Sequence, residues 1–363
     1  MAADRAGTGA LKRSEGLPGF PWDLLEPAKA KAAAHPGGLI DLSMGTPVDP
    51  VPGVVRRALA DASDSPGYPA TAGNAVLRAA ISEWVERECR AAPGFGMLPT
   101  IGSKELVAWL PTLLGIGAGD VVVIPEICYP TYEVGGLLAG ARVVRSDADV
   151  AGKLVWVNSP SNPTGRVLGR ERLRQIVAWA RSVGAVVASD ECYLSLGWSG
   201  EVPSILSVCD GDYSNVLAVH SLSKRSNLAG YRAGFVAGDA ELVRELLEVR
   251  KQAGMIVPEP VQAAMVAALG DEEHAAQQRE RYRARREVLW AAMEKAGFTV
   301  EGSEAGLFLW VTRGRECWSE VDWFAEQGIL VSAGSVYGPG GDNYVRLALT
   351  ETDERVRAVI ERL

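Results

Sequence analysis

Six short, largely apolar runs recur between residues 121 and 237: Val121–Ile124, Arg142–Arg145, Leu154–Val157, Ala185–Ser189, Val216–His220 and Ala233–Ala237. Most are apolar without a break rather than alternating, the pattern of strands covered on both faces. Helical periodicity fills the gaps near Tyr132–Leu138 and Arg170–Val183. Strands of this kind with helical crossovers predict an α/β fold: a mostly parallel sheet sandwiched by helices. In such sheets ligands bind at the carboxyl ends of the strands.

The rest of the chain is arranged around that sheet. Residues 1–16 are expected to be a flexible tail. An apolar, proline-stiffened arm, Leu17–Trp22, leads to a short helix ending near Ala34, and Leu39–Leu42 reads as a strand broken by Gly45-Thr-Pro47. Helices are expected over Pro52–Ala62, Asn74–Arg90 and Glu105–Leu114. Beyond Gly238 the pattern turns helical (Ala240–Gln252, Pro260–Leu269, Asp271–Ala296). Short strands follow at Leu307–Val311 and Tyr344–Leu349, with a helix near Ser319–Gln327 between them. This predicts a large domain over 47–275 and a smaller α+β domain made of 17–46 plus 276–363.

Composition narrows the function classes. A net charge of -8 argues against a general nucleic-acid or membrane-surface binder. The five cysteines are scattered with no CxxC pair, and the three histidines share no ligand spacing. Reduced thiols in a cytoplasmic protein, and no zinc site, are therefore expected. Met1–Glu15 has no apolar run of the kind a secretory leader needs, and no stretch reaches membrane-spanning length. Gly115-Ile-Gly-Ala-Gly-Asp120 imitates a nucleotide loop. It follows a helix and precedes a strand, the reverse of the order a dinucleotide fingerprint requires.

The chemistry-bearing residues gather at strand ends. Pro125–Tyr132 follows the first run, Asn158-Ser-Pro-Ser-Asn-Pro-Thr-Gly165 the third, Ser189-Asp-Glu-Cys-Tyr193 the fourth and Ser221-Leu-Ser-Lys224 the fifth. Each alone has a loop or capping explanation. Together they bring Tyr, Asn, Asp, Ser, Lys and Arg to one crevice. Lys224 is either part of a basic surface loop or a desolvated amine, which loses its proton readily and becomes a nucleophile for a Schiff base. Arg232 and the two serines suit a phosphate. Gly102-Ser103 opens a helix, and is either an anion cradle or an ordinary N-cap. Tyr68, in the loop Pro66–Gly73, either packs or offers its hydroxyl to a ligand.

The ordered set Ser103-Lys104, Tyr129, Asn162-Pro-Thr-Gly165, Asp190 with Tyr193, Ser221-x-Ser-Lys224, Arg232 and Tyr344-Val-Arg-Leu347 resembles fold-type I aminotransferases dependent on pyridoxal 5′-phosphate. The resemblance runs over about residues 17–363. Phe20-Pro-Trp22, Leu42–Pro50 and His220–Phe235 make it most similar to actinobacterial N-succinyldiaminopimelate aminotransferases.

The resemblance implies a set of roles. Lys224 would form the Schiff base and carry the proton, Asp190 would pair with the pyridine nitrogen, and Asn162 and Tyr193 would hold the ring oxygen. Tyr129 would stack on the ring. Ser103, Lys104 (through its backbone N–H), Ser221, Ser223 and Arg232 would bind the phosphate. Tyr68 would reach the phosphate of a partner subunit in a homodimer. Arg346, with the Gly45 backbone, would grip the substrate carboxylate. The implied reaction is a ping-pong transfer from glutamate to N-succinyl-2-amino-6-oxopimelate. Alternatives are an aspartate or LL-diaminopimelate aminotransferase, a C–S β-lyase, and a non-catalytic ligand-sensing module. The Phe20/Trp22 arm is either a lid over the site or a structural clasp.

Overall fold

A computed structural model describes residues 16–363; the expected tail therefore falls, Gly16 apart, outside the described residues. After the arm come α1 (Glu26–Ala33), β1 (Ile40–Asp41), α2 (Gly53–Asp61), α3 (Ala75–Glu88), β2 (Gly96–Ile101) and α4 (Gly102–Leu113). The alternating region follows as β3 (Val121–Ile124), α5 (Thr131–Ala139), β4 (Arg142–Arg145), β5 (Leu154–Asn158), α6 (Arg170–Val183), β6 (Val186–Asp190), β7 (Val216–Ser221), α7 (Leu222–Arg225) and β8 (Ala233–Gly238). Then come α8 (Ala240–Ala253), α9 (Glu259–Leu269), α10 (Glu272–Lys295), β9 (Thr299–Glu301), β10 (Phe308–Thr312) and α11 (Cys317–Glu326). The chain ends with β11 (Ile329–Leu330), β12 (Ser332–Ala333), β13 (Val345–Ala348) and α12 (Asp353–Arg362).

Seven strands form the main sheet in the order β2-β8-β7-β6-β5-β3-β4. Neighbours from β7 through β4 are parallel, while β8 runs antiparallel to both β7 and β2. The expected parallel sheet is thus present with one reversed strand. Every residue of β5, β7 and β8 is buried, because helices cover both faces. One face packs Leu77, Ile81, Trp84 and Val85 of α3 against Ala218 and Phe235. The other packs Leu106 and Leu110 of α4 against Val122, Ile124, Val219 and Val236. Strand order reverses between β3 and β5, which opens a crevice at their carboxyl ends.

The second unit is a four-stranded antiparallel sheet, β12-β13-β10-β9. Its core takes Tyr282, Leu289 and Met293 from α10 together with Phe308, Leu309 and Phe324. Strand β1 pairs in parallel with β11, Ile40 opposite Ile329.

Three departures from the sequence reading bear on the site. Strand β2 was not anticipated; Pro99 lies within it, and a proline is tolerated there because β2 pairs on one side only. Helix α4 begins at Gly102, three residues ahead of the expected start. Lys224 sits not in a loop but in α7, a single helical turn capped by Ser221, whose Oγ accepts from the Ser223 N–H at 3.1 Å.

Candidate active site

At the carboxyl ends of β3, β5, β6 and β7 lies a cavity of about 300 Å³, the size of a small-molecule site. It is lined by Gly45, Ser103, Lys104, Tyr129, Asn162, Asp190, Tyr193, Ser221, Ser223, Lys224, Arg232 and Arg346. These are all the residues singled out from the sequence except one. Tyr68 stands outside the cavity with its side chain fully exposed to solvent.

Lys224 reaches the cavity from α7, and its Nζ donates to the Gly45 carbonyl, which brings the Gly45 loop over the amine. Burial is the main reason its pKa falls to about 8, with the Arg346 and Arg232 charges adding to the drop and Cys192 opposing it. About one amine in ten is then neutral at pH 7.

Asp190 closes β6. Its Oδ1 accepts from the Cys192 backbone N–H at 3.2 Å, and its Oδ2 accepts from the Tyr132 hydroxyl at 2.8 Å. Burial pushes this carboxyl up, and the hydrogen bonds from Cys192 and Tyr132 pull it back. Tyr132 is completely buried and stacks on Trp156 with ring centroids 4.9 Å apart. It was not singled out from the sequence. The available signal was proximity: Tyr132 lies three residues after Tyr129, in the first turn of α5 and in the same strand-end segment Pro125–Tyr132. Tyr129 itself forms part of the cavity wall, edge-on to Tyr132.

Asn162 is fixed at both ends. Its backbone N–H donates to Asn158 Oδ1 at 2.7 Å, and its Oδ1 accepts from Arg346 at 2.8 Å. With Oδ1 committed, the side-chain N–H₂ is the group left to serve a ligand. Asn158 also donates to the carbonyls of Pro160 and Asp190, so it braces two loops of the site. Arg346 rises from β13 of the second sheet, donates to the Ser43 carbonyl at 2.5 Å and lies 3.9 Å from the Phe308 ring centroid. Its Nε is buried without a partner among the described residues. Tyr193 is buried edge-on against Phe308, and burial holds its phenol well above the usual range.

The remaining lining forms a place for a dianion. Gly102, first residue of α4, has φ +71°, and a Cβ there would stand 2.6 Å from the Arg232 guanidinium. Arg232 is itself left-handed (φ +57°) and donates to the Ala229 carbonyl at 2.9 Å. The guanidinium thus rests on the amino end of α4, where backbone N–H groups of Ser103 and Lys104 have no helical partner. The Ser221 hydroxyl, which accepts from Ser223, keeps its own hydrogen for a ligand. A phosphorylated pyridine fits this donor set: dianion cradle at one end, carboxylate at the other, aromatic wall between.

The arm reaches the cavity mouth. Phe20 and Trp22 both line it, with ring centroids 5.2 Å apart, and the Lys104 ammonium lies 5.4 Å from the Phe20 ring centroid. The lysine side chain therefore points along the mouth, whereas the sequence reading used only its backbone N–H. Met44, Thr46 and Phe308 are further lining residues that the sequence reading did not name.

Comparison with known proteins agrees with this geometry. Residues 38–363 match the family model for aminotransferase class I and II. A probable aminotransferase of Mycobacterium tuberculosis is 59% identical over 96% of this chain and 86% of its own length. A 4-dedimethylamino-4-oxo-anhydrotetracycline transaminase of Streptomyces rimosus is 54% identical over 96% of this chain and 99% of its own. Among solved structures, a probable N-succinyldiaminopimelate aminotransferase from Thermus thermophilus superposes with a TM-score of 0.84 at 28% identity, covering 94% of this chain and 99% of that one. With the cradle, the acid and the lysine in one cavity, the chain belongs to the class I and II aminotransferases, which work through pyridoxal 5′-phosphate.

Proposed function

We propose that this aminotransferase moves an amino group from glutamate to N-succinyl-2-amino-6-oxopimelate, and that the residues gathered in the cavity carry the roles their chemistry suits. The observation behind the roles is the placement of Lys224, Asp190 and Arg346, from three separate segments, around one space. Pyridoxal phosphate, when bound, supplies the electron sink that makes loss of a substrate Cα proton possible. Lys224 Nζ, partly neutral near pH 8, is the nucleophile that holds the cofactor and the base that carries that proton. Asp190 pairs with the ring nitrogen. Asn162 donates its free N–H₂, and Tyr193 its hydroxyl, to the ring oxygen, and Tyr129 stacks on the ring face.

Ser103, Lys104, Ser221, Ser223 and Arg232 hold the phosphate. Arg346 turns its remaining N–H groups to the substrate carboxylate, beside the Gly45 backbone. Tyr68 serves the partner subunit of a homodimer, which its full exposure leaves open. The likeness to the Thermus thermophilus protein supports the acceptor, as does the Lys104 ammonium at the mouth, suited to a distal carboxylate. A second reading, a bulky ring ketone, is favoured by the Phe20/Trp22 pair at that mouth and by the likeness to the tetracycline-pathway transaminase. Glutamate-dependent turnover of an acceptor panel decides. The succinylated keto acid should exceed oxaloacetate and ring ketones in kcat/KM by at least about tenfold. Turnover confined to a ring ketone or to oxaloacetate would refute the first reading.

A further inference from the structure

Three residues of the cofactor cavity have sequence neighbours that point elsewhere. Glu191 follows Asp190, His220 precedes Ser221 and Arg225 follows Lys224. Successive side chains of a strand face opposite ways, and one step along a helix turns the side chain by about 100°. All three neighbours, with Trp84 of α3, line a second cavity of about 10 Å³, the room taken by one water molecule. Cys192 and Ser221 border both cavities.

The polar atoms around this small cavity are unusually incomplete. Trp84 Nε1, Glu191 Oε2, His220 Nδ1 and Arg225 Nε are all buried and have no partner among the described residues. The four residues are only 2–3% exposed. Their other polar atoms are engaged. Glu191 Oε1 accepts from the Ile205 N–H at 2.7 Å and the Ser189 hydroxyl at 3.0 Å. The two terminal nitrogens of Arg225 donate to the Ala268 carbonyl at 3.1 Å and to Glu272 at 2.7 Å. His220 Nε2 is 3.5 Å from Cys89 Sγ and 3.7 Å from Glu191 Oε2.

Burial pulls the His220 pKa down to about 3, so the ring is neutral. With its hydrogen on Nε2, towards Cys89 Sγ, Nδ1 is an acceptor. Burial raises the Glu191 carboxyl to about 7; in its ionised form the orphan atoms comprise two donors, Trp84 Nε1–H and Arg225 Nε–H, and two acceptors, Glu191 Oε2 and His220 Nδ1. One water molecule offers two hydrogens and two lone pairs, which matches the four in number and kind.

We propose that this cavity is a built site for a single water molecule that locks Asp190, Ser221 and Lys224 in place from behind, by joining α3, the ends of β6 and β7, and α7. Trp84, Glu191, His220 and Arg225 are positioning residues: they act on the cofactor only through the neighbours they hold. A metal ion is the competing occupant, because ligand atoms of Cys89, Glu191 and His220 lie within 4.8 Å of one another. Such an ion would need the Cys89 thiol deprotonated, although burial holds that thiol well above its usual range. It would also leave the Trp84 and Arg225 donors without an acceptor.

The inference rests on the cofactor reading, so the first measurement is independent of it. A crystal structure of the holoenzyme, resolved well enough to show ordered solvent, together with elemental analysis, should reveal one water within hydrogen-bond reach of the four atoms and no stoichiometric metal. A site closed over by side chains, or a bound metal ion, overturns the proposal. The second measurement is Trp84→Phe, which keeps an aromatic side chain, smaller than the indole, and removes one donor. It should lose the water, release pyridoxal phosphate about tenfold more readily, and shift the pH midpoint of the bound cofactor's visible absorbance, with KM for glutamate unchanged. If the water is lost but affinity and midpoint both stay as in the parent, the positioning role is wrong. Should that variant fold poorly, the parent crystal structure and its metal content still decide.

Discussion

Lys224 is the residue whose chemistry depends most on its surroundings. Its pKa near 8 comes chiefly from burial, with two arginines adding to it. Only the neutral amine attacks a carbonyl, so capture of pyridoxal phosphate by the cofactor-free enzyme should speed up with pH. From pH 7 to 8 the stopped-flow rate should rise about fivefold and level off above about pH 9. A rate still climbing towards pH 10.5 would mean an ordinary surface lysine. Lys224→Ala should lower turnover by on the order of 10⁴-fold and leave no cofactor attached after borohydride reduction.

Tyr132 is the neighbouring case, a cavity-lining residue whose hydroxyl donates to Asp190 and whose ring stacks on Trp156. Tyr132→Phe removes one O–H donor from a buried carboxylate. We expect kcat to fall about tenfold with KM within about twofold, because the proposed role of Asp190 uses the anchored acid in the reacting state. An unchanged kcat would make the hydrogen bond merely structural. At this scale the sequence was informative about groups that must be polar at a strand end: Asp190, Asn162 and Lys224 carry the charge or hydrogen bonds by which they can be found. It was silent on Tyr132, Glu191 and His220, since a buried aromatic or a neighbour of a motif looks like core until its partner is known.

At the scale of elements, the cradle depends on the junction between β2 and α4. The strand's single pairing edge admits Pro99, and the chain then turns through Gly102 at φ +71° so that Arg232 can pack against it. Gly102→Ala adds left-handed strain of about 1 kcal/mol and pushes the guanidinium away. Gly184→Ala, at the end of α6, is the natural control: its φ is +69°, but nothing lies within 4 Å of the added Cβ. Both variants should lose about one to two degrees of Tm. Only Gly102→Ala should weaken pyridoxal phosphate binding, by about tenfold or more, in a fluorescence titration. Equal affinities would mean that Arg232 does not hold the phosphate.

These same elements show why boundaries were harder to read than identities. Helix α6 matched its expected span, because Gly169 and Gly184 punctuate it. β2 and α7 escaped because a proline-bearing edge strand and a single turn of helix leave no periodicity to detect.

At the scale of the whole molecule, we propose the division anticipated from the sequence: 47–275 around the large sheet, and 17–46 with 276–363 around the small one. Its supports are the β1–β11 pairing, the ion pairs of Lys31 with Asp322 and Glu326, and the donation of Arg362 to the carbonyls of Gly37 and Gly38. The site straddles that division, since Lys224 and Asp190 come from one side and Gly45 and Arg346 from the other. None of the helices among the described residues is long and apolar enough to cross a membrane.

What a single chain does not complete is the role proposed for Tyr68, whose side chain touches none of the cavity. If Tyr68 serves the partner's phosphate, a Tyr68→Ala subunit and a Lys224→Ala subunit should complement each other. In the mixed dimer one site combines an intact Lys224 with the intact Tyr68 of the other subunit, and the second site lacks both. Co-expression with random pairing makes half of the dimers mixed, so activity should recover to about a quarter of the parent. Tyr68 acting within its own chain would give no recovery above the two single variants. A monomer in sedimentation would remove the requirement for a partner altogether.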